Sequence, residues 1–270
     1  MPELPETETI ARDLAELLTG RVIQEVSVHR EDVLRGPLAS GFGERQAGLE
    51  VLRVWRRAKT VVMSLSGAHH VLVTPRFTGS LQYETTPDAY AVITWSFHDG
   101  SRLVYRDVRR LGTVTLVDDH GLDAFDRSLG IEPLSPGFTA TTLSGILRGS
   151  GAAVKKVLME QRRIAGVGNI YANEALHRAG VDPSRAASTL TLADAERLSA
   201  ELRSVLTAGI EARGTTFRDY RDARNERGGF AASLQAYGRG GEPCVHCGTR
   251  LTETHAIDGR STVFCHRCQR

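Results

Sequence analysis

Four cysteines, all within the last 27 residues, constrain this chain more than any other feature. They stand as Cys244-Val-His-Cys247 and Cys265-His-Arg-Cys268, with 17 residues between the pairs. Two Cys-x-x-Cys knuckles at this separation supply four thiolates to one closed tetrahedral zinc site. Such a site is structural, because no ligand position is left for water. His246, His255 and His266 lie nearby, but four sulfurs already fill the shell. The alternative, disulfides, is disfavoured: the chain has no other cysteine and no secretory signal, the pattern of a reducing compartment. Between the knuckles, Arg250–Ile257 and Arg260–Phe264 read as strands around Asp258-Gly259, a dipeptide suited to a tight turn. Arg260 then sits at the tip of a zinc-pinned hairpin. A turn arginine is ordinarily solvated, yet on a rigid finger it is also a good phosphate clamp.

The other end carries the candidate chemistry. The chain opens Met1-Pro2-Glu3-Leu4-Pro5-Glu6, and removal of Met1 would turn Pro2 into a free secondary amine with a carboxylate on the next residue. An α-amino group has a pKa of roughly 7.7–8.0, so a useful fraction is unprotonated and nucleophilic near neutral pH. Attack on a sugar C1′ would give an iminium, with Glu3 protonating the ring oxygen as the ring opens. Taken alone the hexapeptide has a plainer reading, because an acidic run before a helix favours the helix's positive end.

The 270 residues are enough for two domains with proper cores, and with 41% hydrophobic residues and no apolar run near membrane-spanning length the chain reads as globular with no membrane role. Charge is uneven. Residues 1–130 carry 15 Lys+Arg against 18 Asp+Glu, whereas residues 131–270 carry 19 against 14, which makes the second half the better backbone-binding half. Only Lys59, Lys155 and Lys156 among 34 basic residues are lysines, a bias that flags them as positions favouring a point charge.

Apolar spacing predicts a helix over 6–18, ended by Gly20, and then short strands over 21–29, 49–55, 60–65, 70–74, 91–97, 102–105 and 113–117. Breakers concentrate at 130–137. Helical spacing returns over 152–161, 170–179 and 192–213, the last opened by a capping box, Thr191-x-x-Asp194. Residues 218–229 hold four arginines and three acids with almost no apolar content, which predicts a mobile loop. The expected fold class is therefore α+β. Residues 1–130 form an N-terminal β-sandwich with one N-terminal helix, 131–137 a hinge, 138–230 a helical domain and 231–270 a zinc-ribbon β-hairpin. Gly166-Val167-Gly168-Asn169 joins two of the helices, and its exposed N–H groups beside a helix start suit an anion. A plain helix cap is the simpler account of that turn. Lys155, fourteen residues before Asn169, reaches the same anion if the helices fold back on each other.

Pro2-Glu3-Leu4-Pro5-Glu6, Lys59 in Arg56-Arg57-Ala58-Lys59, Gly166-Val-Gly-Asn-Ile-Tyr-Ala-Asn-Glu174, Tyr237-Gly-Arg-x-Gly-Glu-Pro-Cys244 and the cysteine ribbon with Arg260 stand in chain order. In this the sequence closely resembles, over its whole length, the formamidopyrimidine-DNA glycosylase and endonuclease VIII family. The resemblance implies a β-sandwich, a helix-two-turn-helix domain and a zinc finger around DNA, and one structural Zn²⁺ on Cys244, Cys247, Cys265 and Cys268. It implies an N-terminal proline that attacks C1′ of a damaged nucleotide, expels the base and cleaves the strand by β,δ-elimination. Carried over by position, Pro2, Glu3, Lys59 and Arg260 are catalytic. Lys59, Lys155, Asn169, Tyr237 and Arg260 contact DNA, and the arginine-rich loop covers the lesion and is disordered without it. The implied partner is double-stranded DNA with damaged bases or abasic sites, bound by a monomer in a bacterial cytoplasm, on the nucleoid.

Two segments depart from the family pattern. A His-x-Gly-Met-x-Gly segment, whose methionine fills the hole left by the extruded base, is here Thr74-Pro-Arg-Phe77-Thr-Gly79. The usual Arg-Arg-Phe-Gly is Arg109-Arg-Leu111-Gly112. The aromatic and aliphatic wedges, Phe77 and Leu111, are exchanged beside Arg109. The leading expectation is a bifunctional glycosylase and abasic-site lyase for oxidised purines (8-oxoguanine, formamidopyrimidines), with two alternatives: an endonuclease VIII-like preference for oxidised pyrimidines or single strands, and a zinc-dependent DNA binder without chemistry.

Overall fold

A computed structural model describes residues 2–270 of the chain, which divides into two compact units. The first comprises residues up to Ser128 together with Ala212–Gly229; the second comprises Leu129–Glu211 and Phe230–Arg270.

The first unit opens with helix α1 (Leu4–Leu18). Pro5 fits its first turn, where backbone N–H groups lack helical partners anyway, and Glu6 accepts the Glu3 N–H at 2.8 Å in a capping box. The stripe Ile10, Leu14 and Leu18 is wholly buried, each side chain contributing ~1.5–3 kcal/mol of burial. Then come β1 (Ile23–Val28), β2 (Leu34–Arg35), β3 (Val51–Arg57), β4 (Thr60–Leu65), β5 (His69–Thr74), β6 (Gly79–Tyr83), β7 (Ala91–Phe97), β8 (Arg102–Asp107), β9 (Thr113–Asp118) and helix α2 (Asp119–Arg127). They form two sheets, ordered β1-β7-β8-β6 and β2-β9-β5-β4-β3. Every pair is antiparallel except β2 with β9. The expected sandwich is thus present. Trp95, Phe97 and Tyr105 from one sheet meet Val61, Met63 and Val71 from the other in a single core, and the Trp95 indole donates to Gln46 Oε1 at 2.9 Å, so its one polar atom is satisfied.

Three elements were not expected. Strand β2 is only two residues long, β6 (Gly-Ser-Leu-Gln-Tyr) contains no β-branched residue, and α2 buries none of its side chains.

The second unit contains α3 (Ala140–Arg148), α4 (Val154–Met159), α5 (Asn169–Ala179), α6 (Leu192–Glu211) and the hairpin β10 (Thr252–Thr254) with β11 (Thr262–Phe264). Helix α3 also escapes periodicity, because its two threonines, serine and glycine are weak helix formers. Helix α4 is shorter than expected, since Glu160 is already extended. The capping box of α6 is made: Thr191 N–H donates to Asp194 at 3.0 Å, and Asp194 N–H to Thr191 Oγ1 at 3.1 Å. Helices α5 and α6 pack closely at Gly209, where a Cβ would come within 2.6 Å of the Tyr171 ring.

Candidate active site and nucleic-acid interface

Pro2 and Glu3 immediately precede α1; Pro2 is buried and Glu3 only 1% exposed. Glu6 holds this strip. One of its carboxylate oxygens accepts the Glu3 N–H, the other accepts the Thr215 N–H at 2.7 Å, and its carbonyl accepts the Tyr220 hydroxyl at 3.3 Å. Sequence pattern reads Glu6 only as an acid at a helix start; its second task depends on a partner 209 residues away. The removal of Met1 concerns a residue outside those described.

Lys59 lies on the β3–β4 turn, half-buried, after Ala58, which adopts a left-handed φ of 53°. Arg56 fastens this turn to α1 by donating to Glu8 at 2.8 Å and to the Ala58 carbonyl at 3.0 Å. Burial alone would raise the Glu8 carboxyl; the guanidinium groups of Arg56 and Arg12 overcome it and hold the group below its ordinary range.

The exchanged wedges lie on the β5–β6 and β8–β9 loops, and Asp107 ties those loops together. Buried to 1%, it accepts from Thr78 Oγ1 at 2.6 Å and from the Gly112 N–H at 2.8 Å. Thr78 Oγ1 accepts the Arg109 N–H in turn at 3.1 Å. Burial, with Asp107 alongside, pushes the Tyr105 phenol far above its usual range, so its hydroxyl stays a donor to Asp107. Gly112 is needed at this junction, since a Cβ there would fall inside the Tyr105 hydroxyl's contact radius. On this base stand Phe77, 50% exposed, and Leu111, 39% exposed. The Arg109 guanidinium carbon lies 5.4 Å from the Phe77 ring centre, within cation–π range. Phe77 and Leu111 thus present two large apolar side chains at solvent on the two loops that Asp107 joins.

Residues 218–229 run as irregular chain in the first unit, with Tyr220 and Gly228 buried and Arg218, Asp219 and residues 224–227 exposed. Asp222 and Ala223 are fully buried. Arg213 donates to Asp13 at 2.6 Å and through Nε to Asp222 at 2.8 Å, and Arg224 donates to Glu16 at 2.7 Å. Tyr83 N–H donates to the Ala223 carbonyl at 2.9 Å, and Gln82 to Asn225 at 3.0 Å. A polar composition that reads as solvated is here an ion-pair network with acids of α1, a pairing that no local pattern displays.

In the second unit the zinc-finger expectation holds. The four cysteine sulfurs lie within 4.8 Å of one another, with Cys247–Cys265 at 3.5 Å and Cys244–Cys268 at 4.0 Å. A tetrahedron of Zn–S bonds of about 2.3 Å has sulfur–sulfur edges of roughly 3.8 Å, so the donor set fits one zinc ion. These separations are far from the ~2.05 Å of a disulfide, and all four cysteines are free. The strands of the finger are shorter than expected: Asp258-Gly259 lies in a longer 255–261 turn, in which the Asp258 side chain is only 6% exposed.

Helix α5 carries the finger. Asn169 donates from Nδ2 to the Ser261 carbonyl at 3.0 Å, Asn173 Oδ1 accepts the Val263 N–H at 2.8 Å, and His177 Nε2 lies 3.6 Å from Cys244 Sγ. Glu174, fully buried, accepts the N–H groups of Gln235, Ala236 and Tyr237, each at 2.9 Å. Tyr237, half-buried, therefore starts from a clamped backbone. Burial, with His246, Arg178 and Arg239 alongside, lowers the His177 pKa to about 4 and leaves a neutral imidazole. In the turn before α5, Gln161 accepts the Gly166 N–H at 2.8 Å and donates to the Val167 carbonyl at 2.9 Å. Lys155 is fully buried and donates to Ser261 O at 3.1 Å and Thr262 Oγ1 at 2.6 Å, while the Arg260 side chain is 59% exposed. The structure thus joins Lys155, Asn169 and the Arg260 turn, and separately joins Phe77 and Arg109.

Comparison with known proteins places these parts. Residues 1–114 match the formamidopyrimidine-DNA glycosylase N-terminal domain, 129–221 the H2TH domain of the same enzymes, and 241–270 the zinc finger found in FPG and IleRS. The fold and its three matched domains are those of a zinc-finger DNA glycosylase. The formamidopyrimidine-DNA glycosylase of Pelotomaculum thermopropionicum is 40% identical, covering 100% of this chain and 99% of its own length; that of Laribacter hongkongensis is 41% identical, covering 100% of both. The crystal structure of the MutM (Fpg) protein of Thermus thermophilus matches with TM-score 0.89 at 34% identity, over 99% of this chain and 98% of that one. A Lactococcus lactis Fpg variant bound to Fapy-dG-containing DNA matches with TM-score 0.92 at 27% identity over 100% of both chains. The chain belongs to the formamidopyrimidine-DNA glycosylase family.

Proposed function

We propose that this chain excises oxidised purines from double-stranded DNA and then cleaves the abasic site, with Pro2 as nucleophile and Glu3 as proton donor. The observation that carries the reading is the Pro2-Glu3 strip, buried and fastened by Glu6 at the head of the sandwich. A fixed amine and acid suit attack at C1′ and ring opening, because positioned proton transfer contributes most when geometry is set in advance. Lys59, Asn169, Tyr237 and Arg260 hold phosphates around the lesion. Phe77 and Leu111 fill the space left by the extruded nucleotide, and the Arg109 fork meets the base opposite, most naturally the cytosine facing a damaged guanine. No helix among the described residues is long and apolar enough to cross a membrane. Its substrate being DNA, the enzyme works in the bacterial cytoplasm, on the nucleoid, as a monomer.

The test is single-turnover excision from duplexes that vary lesion and opposite base, run on the parent and on Phe77→Ala. The parent is expected to favour 8-oxoguanine and formamidopyrimidines opposite cytosine; faster release of oxidised pyrimidines would favour the endonuclease VIII-like reading instead. Base–aromatic stacking is worth roughly 1–3 kcal/mol, so Phe77→Ala is expected to slow excision from paired duplex about tenfold or more. Abasic sites and single strands need little extrusion and are expected to suffer much less. Equal slowing of duplex and single-strand substrates would make Phe77 a packing residue.

A further inference from the structure

Asp258 sits in the finger turn, and its side chain is only 6% exposed. Its Oδ1 accepts the Arg260 backbone N–H at 3.0 Å, and its Oδ2 accepts from the Arg260 guanidinium at 3.3 Å. The same carboxylate lies 3.7 Å from Lys155 Nζ. Lys155 also donates to Ser261 and Thr262 on the far side of Arg260. An ammonium buried to 0% exposure keeps its charge only with hydrogen bonds and a counter-ion, and one finger turn, 258–262, supplies both. Arg260 stands between these anchored residues with its guanidinium largely at solvent and one N–H committed to Asp258.

We propose that Asp258 and Lys155 form a buried strut that sets the pose of Arg260. Asp258 is then a positioning residue for phosphate capture, and Lys155 is its counter-ion rather than a second phosphate clamp. The carboxylate fixes the turn through the Arg260 N–H and aims the side chain through the guanidinium. Lys155 neutralises that carboxylate, so Asp258 orients Arg260 without holding it back from a phosphate. Loss of Lys155 would leave the buried carboxylate without its ammonium and with Arg260 as its counter-charge, and the arginine would close more tightly onto it. The inference rests on the reading that Arg260 binds a phosphate.

The experiment measures affinity against salt concentration for a duplex carrying a stable abasic-site analogue, using the zinc-loaded full chain with metal content checked for each variant. Arg260→Ala is expected to lower the salt slope by roughly 0.9, the loss of one phosphate contact; an unchanged slope would sink the phosphate reading itself, independently of the strut. Lys155→Met is expected to weaken binding about tenfold, the scale of one charge-assisted hydrogen bond. Adding Asp258→Asn to it, which removes the orphaned charge but keeps an oxygen for the Arg260 N–H, is expected to recover most of that loss. In the Arg260→Ala background Lys155→Met is expected to cost less than about twofold, because the strut then has nothing to aim. Losses that multiply, each lowering the slope by about 0.9, would overturn the proposal and make Lys155 a direct clamp. Should Lys155→Met alone lose its zinc, the neutral double variant decides: recovery of the parent slope supports the strut, and a slope lower by about 0.9 contradicts it.

Discussion

Glu3→Gln is expected to bind lesion-containing duplex as tightly as the parent and to lose base excision by about 10²–10⁴-fold, the usual contribution of a positioned general acid or base. The substitution keeps shape and hydrogen-bonding capacity at a side chain 1% exposed, so the bonds of Glu6 to the Glu3 and Thr215 N–H groups survive. Only the transferable proton is lost. Binding is read by gel shift and excision by single-turnover release of the damaged base. Excision within about threefold of the parent would remove Glu3 from proton transfer, because a role that small falls outside the general-acid range.

Removing zinc is expected to have the second large effect. Cys244→Ser or Cys268→Ser leaves three thiolates where four sulfurs lie within 4.8 Å, and structural zinc in small fingers contributes apparent binding energies of ~10–16 kcal/mol. The finger's own core is thin: Ala236, Leu251 and Val263 with the cysteines themselves. It cannot hold the 255–261 turn unaided. DNA affinity is expected to fall by about 100-fold or more, since Arg260 and the clamped Tyr237 backbone lose their frame together. The sandwich is expected to stay folded. Trp55 and Trp95, the chain's 2 tryptophans, both lie in it, so unchanged tryptophan emission with lost binding is the predicted pair of results. A metal-free protein of parent affinity would contradict it.

What was legible in the sequence follows from the range of the interactions concerned. Cysteine spacing, the Pro2-Glu3 start and the short apolar runs of β4, β5 and β7 are local, and each reappears in the structure. Helix α5 shows the opposite case. Asn169, Asn173 and His177 repeat every four residues, which on a helix means one face, and polar residues on one face ordinarily mean solvent. Here that face is buried, with Asn173 2% and His177 1% exposed, because residues about 70–90 positions later fold onto it. Glu174 is hidden in the same way by residues 235–237. Arg213 reads as the end of a helix and Arg224 as a solvated loop charge until Asp13 and Glu16 of α1 come opposite them. In each case the missing information is the partner, and a long-range polar contact leaves no periodicity in either segment. A single cue existed: three polar residues in register on a helix otherwise rich in alanine.

The central claim is that the amine of Pro2 carries the chemistry, and the measurement that tests it most directly is the site of the trapped intermediate. The purified protein is incubated with DNA containing an abasic site, reduced with borohydride, digested and mapped by mass spectrometry. A secondary amine joined to C1′ passes through an iminium that borohydride reduces to a stable tertiary amine. The predicted result is a protein lacking Met1, with the sugar remnant on Pro2. An adduct on Lys59 or any other lysine, or an active preparation that retains Met1, would contradict the account.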